Sequence, residues 1–192
     1  MKYIQLILLF VTFSIVISCN TAINEKITNS KDYNAFLKID KNEVLETTTL
    51  DHNFWKNKIQ NTPNQYPYYA KLAAANSTLF KLTGDIDALK KAEENLIIAN
   101  ERTVYSNASY LRSLARNYIS QHRFNEALAL ALQAEKNGEK LELTHFMLID
   151  IYLELGNLPK VEEYLSKVKN LKNFDYLIRL SKYNDHIGNL DK

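Results

Sequence analysis

Leu111-Arg112-Ser113-Leu114-Ala115-Arg116-Asn117-Tyr118 is followed by His122-Arg123-Phe124, and then by Ala127, Ala131 and Ala134. Thirty-four residues on, the same positions hold His145, Leu148, Ile149 and Tyr152, then Gly156-Asn157-Leu158, then Val161, Leu165 and Val168. Each unit reads as two helices joined by a tight turn. Small residues at 115, 127 and 131 let antiparallel helices approach closely. The aromatic at 118 or 152 wedges against the following helix. The turn position needs a left-handed backbone, which glycine adopts without a steric penalty.

Two further units flank this pair. Downstream, Leu177, Leu180 and Ser181 lead to Gly188-Asn189-Leu190, with Asn184 where the aromatic belongs. Upstream, Leu72, Ala75 and Leu79 or Phe80 lead to Gly84-Asp85, and Ala92, Leu96 and Ala99 match the second helix, with a turn that reads about three residues longer. Gly84, Gly156 and Gly188 share the turn position, and His122 takes it in the remaining unit. Gly138 is placed to end a second helix. Asn157 and Pro159 are placed as N-cap and first-turn residue of another.

This pattern resembles the tetratricopeptide repeat over about residues 67–192. The resemblance implies an all-α solenoid of antiparallel helix pairs, with units at 67–100, 108–138, 142–170 and 174–192. It also implies a concave groove lined by the first helices, into which proteins or peptides bind. Stretches such as Ala115–Phe124 and Phe174–Lys182 are similar to lipid-anchored tetratricopeptide proteins of the Bacteroidetes or flavobacterial type.

The N-terminus carries an address. Lys2 is the sole charge before Glu25, and an apolar run from Ile4 to Ile17 is broken only by Gln5, Thr12 and Ser14. That length suits an export signal and falls short of the roughly 20 residues of a membrane span. The run ends in Val16-Ile17-Ser18-Cys19, which resembles the bacterial lipoprotein box and holds the only cysteine of the chain. The resemblance implies cleavage after residue 18, acylation of Cys19 and residence in the cell envelope, at the outer membrane. An ordinary cleaved signal with an incidental cysteine is the alternative.

Residues 19–66 read as a polar tether with lead-in helices near Lys31–Ile39 and Leu50–Gln60, the second anchored by Trp55. Asn61-Thr62-Pro63-Asn64 breaks the chain before Pro67. At the other end, Gly188–Lys192 starts a second helix that does not follow, which suggests a truncated chain. The final first-helix is then expected to expose Leu177, Leu180 and Ile187.

The 192 residues carry 24 basic and 22 acidic side chains, a balance that argues against nucleic acid held by bulk charge. No histidine spacing builds a zinc site, and no phosphate loop, nucleophile elbow or dinucleotide fingerprint occurs, so neither catalysis, metal nor cofactor is expected. The repeat register places Arg112, Arg116, Met147, Asp150, Glu154 and Arg179 on the groove, with Ser120, Asp175 and Lys182 beside them. Arg112 and Arg116 either stay open to a ligand or pair with Asp150 and Glu154 across neighbouring helices. Met147 stands where chaperone-binding repeats carry an asparagine of their carboxylate clamp.

These features point to an envelope-anchored scaffold or adaptor that binds an unidentified protein or peptide. Two alternatives remain open: a structural subunit of an outer-membrane assembly or uptake complex, and the recognition region of a longer enzyme.

Overall fold

The computed structural model describes residues 29–34, 36 and 42–189. They fall in two compact units divided between Asn42 and Glu43. In the first unit the described part holds one turn of helix, α1 (Ser30–Tyr33). Within the lead-in segment expected to be helical near Lys31–Ile39, residues 35 and 37–39 lie outside the described residues, as do the export signal and Cys19.

The second unit is built entirely of helices among its described residues: α2 (Glu43–Asn61), α3 (Tyr66–Thr83), α4 (Ile86–Arg102), α5 (Ala108–Ser120), α6 (Phe124–Lys136), α7 (Leu141–Glu154), α8 (Leu158–Lys167) and α9 (Phe174–His186). From α3 onward they stack as antiparallel pairs, α3 with α4, α5 with α6 and α7 with α8, and α9 packs on α7 and α8. The result is the expected all-α solenoid.

Turn chemistry explains the pairing. Gly84, His122, Gly156 and Gly188 all have positive φ, at 73°, 58°, 67° and 72°. The left-handed residue reverses the chain so tightly that the next helix starts two residues after Gly84, His122 and Gly156. Each new helix needs acceptors for its first free N–H groups. Asp85 Oδ1 accepts from the Asp87 N–H at 2.9 Å, Asn107 Oδ1 from Tyr110 at 3.0 Å, Asn157 Oδ1 from Lys160 at 3.3 Å and Asn173 Oδ1 from Asp175 at 2.8 Å.

The small positions are where helices touch. Ala73, Ala92, Ala99, Ala115, Ala127, Ala131 and Ala134 are all fully buried. The main apolar core joins α5, α6, α7, α8 and Tyr176 of α9. Helix α7 is buried on nearly every side, through Phe146–Ile149 and Ile151–Leu153, because neighbours pack around it. Tyr152 stacks on Tyr164 of α8 at 5.7 Å, the aromatic wedge the repeat calls for.

Three expectations are corrected. The first hairpin does not have a longer turn. Its three extra residues form an additional helical turn, so α4 starts at Ile86 directly after its Asp85 cap. The lead-in helix begins at Glu43 rather than Leu50, in the same compact unit as the solenoid. Thr47, Thr48 and Thr49 read as tether, yet their hydroxyls donate to the carbonyls of Glu43, Val44 and Leu45 at 2.8, 2.6 and 2.8 Å, which lets them sit inside a helix. Finally, Leu180 packs against the core, whereas Leu177, Ile178 and Ile187 are exposed. Trp55 is half-buried against Phe54 and Tyr68, so it anchors α2 on α3 as expected.

Candidate functional site

The first helices of the pairs, α3, α5, α7 and α9, line one concave groove of about 650 Å³. Arg112, Arg116, Met147, Asp150, Glu154 and Arg179 all lie on it, together with Ser120, Asp175 and Lys182. Helical spacing explains the convergence. Arg112 and Arg116 are one turn apart on α5, and Met147, Asp150 and Glu154 follow the same stripe on α7.

The partners inside the groove are not those expected. Asp150 Oδ2 pairs with Arg179 Nη2 of α9 at 2.6 Å, not with Arg112 or Arg116. Arg179 is further fixed by donating Nε to the Phe146 carbonyl at 3.1 Å and Nη1 to the Asp175 carbonyl at 2.8 Å. Its guanidinium also lies 4.7 Å over the Phe146 ring. Arg179 is thus a clamp between α9 and α7 and not an open groove cation.

Arg112 is buried, at 8% exposure. Its Nη1 donates to the Glu139 carbonyl at 2.8 Å and to Thr144 Oγ1 at 3.1 Å, tying α5 to the start of α7. Burial pulls this guanidinium below its usual pKa. The Glu139 charge opposes that shift and the Arg116 charge adds to it. Arg116 is exposed and makes no side-chain hydrogen bond or ion pair to a described residue, and the same holds for Glu154. Met147 is buried, so it forms floor rather than a polar contact.

Several groove residues went unread in the sequence. Lys81 lies in the last turn of α3, where the sequence leaves the register open by one residue, between Leu79 and Phe80, and Lys140 precedes the first residue of α7. Lys140 has a φ of 48°, a left-handed entry to α7 that no glycine or asparagine signals. A second cavity of about 250 Å³ opens beside the groove between α3 and α5, floored by Ala70, Ala73 and Ala74 and sharing Lys81, Ser113, Arg116 and Ser120 with it. Ala70, Ala73, Ala74 and Ser77, at i, i+3, i+4 and i+7, were its available signal: a helix face without bulk.

Away from the groove, polar clusters have structural roles. Glu135 accepts from Tyr164 Oη at 3.0 Å and contacts His145 Nε2 at 3.0 Å. This explains His145 as a packing residue. Burial, followed by that hydrogen bond, raises the Tyr164 pKa. Arg123 bridges Glu93 of α4 and Glu126 of α6 at 2.7 and 2.6 Å and covers the Tyr118 ring at 3.9 Å. No group of three or more His, Cys, Asp or Glu placed to hold a metal ion occurs among the described residues. Among the same residues no helix is long and apolar enough to cross a membrane.

Solved structures share this fold. A thermophilic TPR protein of Thermus thermophilus superposes with a TM-score of 0.61 over 74% of each chain, at 19% identity. The fold is that of a tetratricopeptide-repeat solenoid. The nearly identical TPR-like repeats of a putative kinesin light chain of Podospora anserina superpose on this solenoid with a TM-score of 0.58 over 83% of each chain, at 16% identity. The sequence matches no known family model and no curated protein sequence.

Proposed function

We propose that this tetratricopeptide-fold protein is a non-catalytic scaffold that binds a polypeptide in its concave groove and is exported and held at the bacterial envelope through lipid on Cys19. The convergence of Arg112, Arg116, Met147, Asp150, Glu154 and Arg179 on one groove of about 650 Å³ carries the reading. A groove of that size, walled by serine, arginine and lysine, suits an extended chain whose backbone and side chains can both be met by donors. Anchoring is supported by the apolar run before Ser18-Cys19 and by the sole cysteine standing there. Acylation with two or more chains gives stable attachment.

The test is recovery of partners from envelope extracts by the full chain. Reversing groove charge with Arg116→Glu and Lys182→Glu is expected to remove the bound polypeptides, whereas Lys90→Glu and Lys136→Glu, on α4 and α6, leaves them. Equal recovery by both variants contradicts the groove as the binding face. Incorporation of labelled fatty acid into the wild type and not into Cys19→Ser tests the anchor independently.

A further inference from the structure

The groove is far more basic than the chain. Six of its lining residues are Lys or Arg and three are Asp or Glu, in a chain with 24 basic and 22 acidic residues. Two of those three carboxylates, Asp150 and Asp175, are taken by Arg179 at 2.6 and 3.6 Å. Lys81, Arg116, Lys140 and Lys182 make no side-chain hydrogen bond or ion pair with a described residue. Glu154 is the one groove carboxylate left to set against them.

Arg112 makes the imbalance more specific. More than nine-tenths of it is buried, yet no carboxylate among the described residues pairs with it; both its hydrogen bonds go from Nη1 to neutral oxygens. The nearest counter-charge is Glu139, which acts on it through space without an ion pair, so the buried guanidinium is only partly compensated. Its Nε and Nη2 have no protein acceptor, but they are not sealed in the core, where the one unsatisfied buried polar atom among the described residues is Asn100 Oδ1. Arg112 lines the groove, and these nitrogens keep donors that no protein acceptor uses. One helical turn along, Arg116 lines both the groove and the alanine-floored notch.

Building on the groove-binding reading above, we propose that Arg112 and Arg116 seat a side-chain carboxylate of an extended acidic polypeptide, and that the notch between α3 and α5 takes an aliphatic side chain next to it. Guanidinium groups meet carboxylates through paired N–H donors, so two arginines one turn apart hold one acid firmly. An extended chain presents same-face side chains two residues apart, about 7 Å along the strand. Arg116 lines both seats, so the proposal places the acid and the aliphatic residue on neighbouring same-face positions, two apart, in the partner. The notch, at about 250 Å³ and floored by three alanines, fits a valine- or leucine-sized group. Lys182 and Lys140 extend the same preference along α9 and the entry to α7.

A random dodecapeptide library, displayed with its C-terminus fused to phage so that no free α-carboxylate is offered, is panned on the full chain in detergent. The expected pool carries Asp or Glu two positions from Val, Ile or Leu. A synthetic peptide of that consensus is expected to lose about tenfold in affinity when its acid is changed to the amide, and about as much on Arg116→Gln. Ser77→Phe, which fills the notch, is expected to weaken the aliphatic peptide and spare its glycine analogue. Circular dichroism of the exposed Arg116→Gln variant confirms that it folds. A pool that is neutral or basic, yet is still displaced by Arg116→Gln or Ser77→Phe, overturns the acidic specificity and leaves the groove reading intact. A pool that never rises above background overturns both.

Discussion

Arg179 Nη2 lies 2.6 Å from Asp150 Oδ2, and this single pairing decides which arginines of the groove remain open. Asp150 has one strong cationic partner, and it comes from α9 rather than α5. Because Arg179 is also bonded to two carbonyls and lies over Phe146, it holds the last helix to the stack. Arg179→Met is expected to destabilise the fold by about 1.5–3 kcal/mol, the range for hydrogen bonds to charged groups. A double-mutant cycle with Asp150→Asn should give a coupling of about 1 kcal/mol in urea unfolding. Strict additivity would show that the pair contributes nothing to the stack.

Arg116 should behave oppositely. It is exposed and has no partner, and Arg112 is a like charge one turn away. Arg116→Gln is therefore expected to stay within about 0.5 kcal/mol of the wild type in the same unfolding measurement. A loss of more than about 1 kcal/mol would reveal an internal role and undercut it as a ligand contact.

The turn residues give a paired prediction. At Gly156, with φ of 67°, an added Cβ meets nothing within 4 Å, so the penalty of Gly156→Ala is backbone strain alone. The left-handed strain of about 1–2 kcal/mol outweighs the roughly 0.4–1 kcal/mol gained by restricting the unfolded chain. His122 already bears that strain at φ of 58°, offset by a 5.5 Å edge contact with Phe124. His122→Gly should therefore be neutral or stabilising by up to about 1 kcal/mol. The melting temperature should fall for Gly156→Ala and hold level or rise for His122→Gly.

Tyr164 sets a limit at high pH. Burial and its hydrogen bond to Glu135 raise its pKa above the ordinary value of 10.0. In the unfolded chain the phenol loses its proton first, so its contribution is complete below about pH 10 and is lost as pH rises beyond it. Tyr164→Phe is expected to weaken the fold by about 0.5–1.5 kcal/mol at pH 7 and to flatten the alkaline loss of stability. An unchanged slope of stability against pH between about 10 and 12 would contradict the assignment.

Much of this was legible in the sequence because the repeat fixes which residues must be small, apolar or left-handed. Ala115, Ala127 and Ala131 are fully buried, and His122 adopts the glycine conformation its position demands. The groove set was legible for the same reason, since helix register fixes the face on which a side chain lies. What register does not fix is reach. Asp150 lies within range of both α5 and α9, and only the stacking of whole helices selects Arg179. Periodicity placed Arg112 on the groove face but does not reveal that its Nη1 is held by the Glu139 carbonyl and Thr144 Oγ1. The threonine run at 47–49 was misread as tether because propensity misses hydroxyls bonded back to their own helix.

The most direct test of the groove as the binding face is site-specific photo-cross-linking in cells. A photoreactive amino acid is placed at Ser113 or Lys182 in the groove, and at Lys90 or Lys136 on the other helices. The account predicts discrete polypeptide adducts from positions 113 and 182, and none from 90 and 136. Adducts from 90 and 136 alone, with the groove positions silent, would contradict it.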